Sequence, residues 1–128
     1  MKQKASLLAG TFFGLAAVGL GAFGSHGLKD HLLSLGRTDT YDLAVQYQFY
    51  HAFALLINGT LQAQLSKTRL SEIASLLFTV GILFFSGSLY VLALTNITVM
   101  GAITPVGGVC FLIGWAILAY AITKTRFS

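Results

Sequence analysis

The residues of this chain with chemistry to offer are three histidines, one cysteine and a row of amides. His26, His31 and His51 carry nitrogens that could ligate a metal or a haem, or relay a proton. His26 and His31 are five residues apart, which is not one face of a helix. His26 and His51 come from separate segments and could meet in space. The plainer reading is a hydrogen-bonded cluster with Tyr47 and Gln48, and no metal or cofactor is expected. Cys110 has no partner for an intrachain disulfide and too few neighbours for a zinc site. It reads as a small packed residue. No GxSxG elbow, P-loop or HExxH motif occurs, and no pair of carboxylates sits in an apolar stretch. The expectation is a protein that is not an enzyme.

The densest polar set lies in 43–65, which reads LAVQYQFYHAFALLINGTLQAQL. As a helix it places His51, Asn58 and Gln62 within about 40° of one another, with Tyr47 bordering the same face. An unpaired polar group in hydrocarbon costs several kcal/mol, so this face must point inward or at water. It can be glue between helices, at about 0.6 kcal/mol per bond. It can instead line a path or pocket for a small molecule, ion or proton. No Asp or Glu lies in these apolar stretches, which argues against carboxylate proton relays and most cation-coupled transport.

The charges show what must hold these residues. All 12 charged side chains fall in four patches, at 1–4, 29–42, 67–72 and 124–128. Between them run 5–28, 43–66 and 73–123, of 24, 24 and 51 residues. A membrane crossing takes about 20 residues, so the expected fold is all-α and integral to the membrane. It is a single domain over 1–128, a four-transmembrane-helix bundle with spans at about 5–24, 43–65, 73–95 and 98–122. Composition agrees, with 55% hydrophobic and 9% charged residues, against about a quarter charged in soluble domains. The net charge of +4 does not point to nucleic acid, because the basic residues sit at helix ends. The first apolar run is longer than a signal-peptide core and no small-x-small site precedes a polar domain, so it is read as a retained helix.

Four spans put both termini on one side, with Lys2, Lys4, Lys67, Arg69, Lys124 and Arg126. Only Lys29 and Arg37 remain on the other, beside Asp30, Asp39 and Asp42. By the positive-inside rule the termini are cytoplasmic. In the first outer loop, Leu28, Leu32 and Leu35 share one helical face, which predicts a short amphipathic helix ended by Gly36. Thr38 or Asp39 would cap the second span. Pro105 either kinks the fourth span or begins it.

Small residues supply close packing where lipid is as apolar as leucine. Gly10, Gly14, Ala17, Gly21 and Gly24 form a stripe roughly 80° wide on the first span. Gly81, Ser88 and Thr95 recur every seven residues in the third, and Gly107 and Gly114 in the fourth. These faces could meet other spans or a second copy of the chain.

Four blocks carry a family resemblance: GAFGSHGLKDHL at 21–32, YQFYHAFALL at 47–56, LFFSGSLYVLALT at 83–95 and GAITPVGGVCFLIGW at 101–115. In this order they resemble the small bacterial inner-membrane family of unknown function, the YgdD/YwdK-like group, across essentially the whole chain. The resemblance implies a multi-pass protein of the bacterial plasma membrane and no activity, so no catalytic residues carry over. Ser25 stands where alanine is familiar in the first block. Among the shared positions, His26, Tyr47, Gln48, His51, Ser88 and Thr104 suggest one polar cluster near the outer leaflet. Asn58 and Gln62 extend the polar face inward. The leading expectation is a non-enzymatic membrane protein whose partners are the lipid bilayer, a further copy of itself or an unknown membrane protein. The alternative is a minimal oligomeric transporter or channel using the polar face.

Overall fold

The charge-free stretches fold as helices, because hydrocarbon leaves the backbone no other way to pair its own donors and acceptors within one segment. The structure, a computed structural model, describes residues 1–127. Helix α1 spans Gln3–Ser25, α2 Lys29–Leu35, α3 Thr38–Leu61 and α4 Thr68–Gly81. A π-helical turn, Ile82–Ser86, joins α4 to α5 (Gly87–Thr95), so 68–95 is one rod. A 3-10 turn, Thr98–Ala102, precedes α6, Thr104–Thr123. No strand occurs among the described residues.

Three helical segments are long and apolar enough to cross a membrane: Gln3–Ser25, Thr68–Thr95 and Thr98–Thr123. Helix α3 is long enough, at 24 residues, but its amides, His51 and two aspartates lower its hydropathy. The rods begin and end a few residues from the expected spans. Helix α3 is displaced at both ends, starting at Thr38 and ending at Leu61 rather than covering 43–65.

Helix α2 forms as its leucine spacing predicts. Leu32 is buried against Tyr41 and Ala93. Gly36 ends it at φ 65°, a left-handed conformation that glycine adopts without strain. The backbone N–H of Arg37 then reaches Leu32 O and that of Gly36 reaches Leu33 O, closing a Schellman motif. The expected cap of α3 does not form. No side chain caps its N-terminus, and Thr38 Oγ1 is buried without a hydrogen-bond partner. Asp39 lies in the first turn and acts there through the helix dipole alone.

Pro105 falls in the first turn of α6, where its missing N–H costs nothing. Pro105 therefore begins α6 rather than kinking it. The first residues of the expected fourth span, 98–102, wind as the separate 3-10 turn instead.

Helices α1 and α3 run antiparallel along the small stripe. A Cβ at Gly10 would stand 2.9 Å from Ala52 O, and one at Gly21 would stand 3.3 Å from Val45 Cγ1. At Gly24 it would strike the Tyr41 ring, and Ala17 is fully buried. Gly14 is the exception, since a Cβ there meets nothing within 4 Å. Gly14 and Gly24 lie on opposite edges of the stripe, and α3 settles toward the Gly24 edge. Helices α4 and α6 pair in the same way. Gly81 faces the Phe111 ring, a Cβ at Gly114 would stand 2.9 Å from Phe78 Cε1, and Gly107 lies against the backbone of Phe85. Thr95, one heptad beyond Ser88, is exposed and bonds only locally, donating to Val91 O and accepting from the Ile97 N–H.

These contacts separate the glycines by experiment. Gly107→Ala drives a methyl into rigid backbone, an overpacking worth about 1–3 kcal/mol, and should lower the unfolding midpoint in detergent. Gly14→Ala should leave that midpoint unchanged or slightly raised, since alanine favours helix. Equal midpoints for the two variants would contradict the packing described.

Candidate functional site

Gln48, His51 and Asn58 of α3 point into the bundle, while Leu43, Tyr50, Phe53 and Ile57 are exposed on its outer face and Gln46 lies exposed with them. The inward face makes three separate sets of bonds along the helix axis.

Asn58 anchors the first set, and it is fully buried. Its amide nitrogen donates to Ser71 O at 2.8 Å and to Ser75 Oγ at 2.7 Å. Its amide oxygen accepts from Ser71 Oγ at 2.6 Å. Ser6 of α1 donates to Leu55 O at 2.8 Å, and its hydroxyl has no second proton to give. Ser75 must then donate across the 2.7 Å contact between the two serines. Every proton in this chain has one acceptor, and three helices are tied together. One turn further on, Gln62 donates to Met1 O at 3.1 Å, and the Met1 amino group donates to Glu72 O at 3.0 Å.

Gln48 anchors the second set, about 15 Å from Asn58 along the axis at 1.5 Å per residue. Its amide nitrogen donates to Phe13 O at 2.9 Å, and its oxygen accepts from the Tyr90 hydroxyl at 2.7 Å. Ser86, in the π-helical turn, donates to Ala44 O at 2.7 Å. Nearer the outer end the Tyr41 hydroxyl donates to Leu20 O. Thr104 and Ser88 meet at 2.6 Å, and the Ser88 proton goes to Phe85 O, so Thr104 is the donor between them.

His51 lies between these sets and is buried. Its Nδ1 stands 2.8 Å from Tyr47 O. A carbonyl only accepts, so Nδ1 carries the proton. Nε2 is then the acceptor for the Trp115 indole N–H at 3.1 Å. This assigns a neutral Nδ1–H tautomer with both nitrogens engaged. Phe111 stacks on the imidazole at 3.5 Å between centroids and 8° between planes. Tyr47, Phe85 and Trp115 extend the aromatic group. Beside it, a groove of about 430 Å³ opens between α3 and α6, lined by Tyr47, His51, Pro105, Gly108, Leu112 and Trp115 among others.

The suggested single cluster near the outer leaflet is therefore divided. His26 does not join it. It is exposed just beyond the end of α1, at the level of Tyr41, some ten residues of α3 away from His51. The imidazole of His31 serves elsewhere, donating from Nε2 to Leu94 O at 2.8 Å. Among the described residues no three His, Cys, Asp or Glu side chains group as metal ligands. Cys110 is a free thiol, partly buried.

Sequence reasoning missed Ser6, Ser71, Ser75 and Trp115. Ser71 and Ser75 are one turn apart on the buried face of α4. Ser6 shares the face of Gly10 and Ala17 on α1. That spacing was visible, but serine is small enough to pass for packing. Trp115 gave no signal, since its partner lies 64 positions away.

The arrangement has a counterpart in known sequences. Residues 20–108 match the family model described as "Protein of unknown function (DUF423)". The chain is 46% identical to a UPF0382 membrane protein of Staphylococcus aureus over 126 residues, covering 95% of this chain and 98% of that protein. It is 42% identical to the UPF0382 membrane protein YwdK of Bacillus subtilis over 126 residues, with the same coverage. No solved structure matches. With a family model matched over most of its length and relatives matched from end to end, this chain belongs to the DUF423 family, whose curated relatives are UPF0382 membrane proteins of unknown function.

Proposed function

We propose that the protein is a non-enzymatic bundle of four crossings in the bacterial plasma membrane, with both termini cytoplasmic. In this reading its buried polar face holds helix register and its role concerns the membrane or a membrane partner. The observation that carries the structural role is saturation. The side chains of Gln48, His51 and Asn58 have their hydrogen-bonding atoms committed to other parts of the bundle. A conduction path needs polar groups that can release one partner for another, and this face offers few.

The fourth crossing is α3. At about 36 Å for 24 residues it exceeds the hydrocarbon thickness of about 30 Å. Its outward face carries Leu43, Tyr50, Phe53 and Ile57, while Gln48, His51 and Asn58 are turned inward. The orientation rests on six basic residues at one end of the bundle against two at the other. A second copy of the chain has a candidate contact at Gly14, where α1 leaves open space.

The alternative, binding or transport of a small molecule, is favoured by the groove at His51. Trp115 is the chain's one tryptophan, so its emission reports directly on that groove. Transport or binding there requires that an added apolar ligand change Trp115 emission in the wild type and not in a Gly108→Leu variant. Under the structural reading, emission is insensitive to added ligands.

Two measurements test the main proposal. Asn58→Leu takes the acceptor from the Ser71 hydroxyl and removes all three Asn58 bonds; at about 0.6 kcal/mol each it should destabilise the bundle by about 1–2 kcal/mol. Unfolding in mixed micelles checks this, and a wild-type midpoint would remove the structural role. For topology, Ser34→Cys and Ser66→Cys, each in a Cys110→Ala background, flank α3. An impermeant maleimide applied to intact cells should label the first and spare the second. Labelling of both from the same side means α3 does not cross.

A further inference from the structure

The bundle has one strongly charged end. Lys2, Lys4, Lys67, Arg69, Lys124 and Arg126 lie there, all six exposed. The only side-chain carboxylate near them is that of Glu72. Six cations against one carboxylate leave an excess of five that internal pairing cannot remove.

The fold gathers these charges from three segments. The backbone N–H of Ser66 donates to Thr125 Oγ1 at 3.0 Å. That bond fastens the chain beyond α6 onto the α3–α4 turn, so Lys124 and Arg126 flank a residue held next to Lys67. Thr125 also donates to Ala121 O at 2.9 Å, which fixes its rotamer. The ammonium of Lys124 sits 5.3 Å from the centre of the Tyr120 ring, a cation–π placement that keeps it close to α6. On the α1 side, the bonds from Met1 to Glu72 and from Gln62 to Met1 bring Lys2 and Lys4 to the same level.

A surface for an apolar chain leads away from these cations. Lys124, Tyr120, Ala116, Leu112 and Gly108 follow one another at intervals of four, a ridge along α6. All except the partly buried Gly108 are exposed. Ala116 lowers the ridge midway, and the ridge ends at the groove that Leu112, Gly108 and Trp115 line.

We infer that the Lys67, Lys124 and Arg126 cluster is a binding site for the headgroup of an anionic phospholipid, with an acyl chain lying along α6 toward the Trp115 groove. Charge complementarity selects the headgroup, and the apolar ridge continuing from the same place selects a lipid over a soluble anion. The inference rests only on this end meeting a membrane surface, so it survives if the orientation proposed above is reversed. A basic side chain near an anionic lipid surface gains about fivefold in affinity. Ionic screening weakens that attraction.

The test is native mass spectrometry of the full chain in detergent with added phosphatidylglycerol or phosphatidylcholine. The wild type should retain phosphatidylglycerol and not phosphatidylcholine. The triple variant K67Q/K124Q/R126Q should lose about 100-fold in affinity for phosphatidylglycerol. Lys29→Gln, at the opposite end, should leave it unchanged. The three side chains are exposed, and a wild-type unfolding midpoint will show that the triple variant still folds. Equal retention of the two lipids, or full retention by the triple variant, overturns the site. So does suppression of phosphatidylglycerol binding by millimolar inorganic phosphate alone, which would identify a soluble anion as the occupant.

Discussion

Gln48, His51 and Asn58 are buried inside the bundle, away from water, so their hydrogen-bond partners must come from the neighbouring helices. The bundle is arranged around that requirement. Helix α1 contributes Ser6 and the Phe13 carbonyl, α4 contributes Ser71 and Ser75, α5 contributes Tyr90 and α6 contributes Trp115. Gln48 is shared by α1 and α5, His51 is met by α6, and Asn58 by α4. A one-residue slip of any helix would strand a donor or an acceptor. Apolar packing tolerates a small slide, whereas a hydrogen bond weakens steeply with distance and angle. The polar face thus selects one register among several that lipid-facing leucines would accept.

Register selection needs close backbones, and the glycines provide them. Asn58 reaches the backbone of α4 directly. Gln48 reaches the Phe13 carbonyl because α1 lies flat on α3 along Gly10, Ala17, Gly21 and Gly24. On the other side of the bundle, Gly107 brings α6 against the backbone of Phe85, inside the π-helical turn. The turn holds one residue more than an α-helical turn. That extra residue rotates α5 relative to α4 and carries Ser86 toward Ala44 O and Ser88 toward Thr104. Packing and polar pairing are two results of one placement.

The sequence was legible where a pattern is local. Charge spacing marks the helices, leucine spacing marks α2, and Gly36 marks its end. The helical wheel turns His51, Asn58 and Gln62 to one side of α3, and all three are buried. It was less legible where the outcome depends on a neighbour. Gly14 and Gly24 are equivalent edges of one stripe until α3 settles on one of them. Gly81, Ser88 and Thr95 are equally spaced, yet the π-helical turn breaks the repeat and leaves Thr95 exposed. His26 and His51 share a residue type but not a level, because α1 and α3 are antiparallel and His26 belongs beside Tyr41. Trp115 lies in an apolar run and shows its use only when α6 is laid against α3.

His51 carries the argument about chemistry furthest. A histidine inside a membrane protein invites a metal, a haem or a proton, and each needs a free lone pair on the imidazole. Here Nδ1–H is spent on Tyr47 O, and the Nε2 lone pair is spent on the indole of Trp115, with Phe111 stacked across the ring. Freeing Nε2 would leave the Trp115 N–H without its partner at an apolar groove. The imidazole is therefore held as a neutral crosspiece between α3 and α6. It fixes the groove wall that faces the bilayer, and whatever enters that groove meets aromatic faces before it meets a nitrogen.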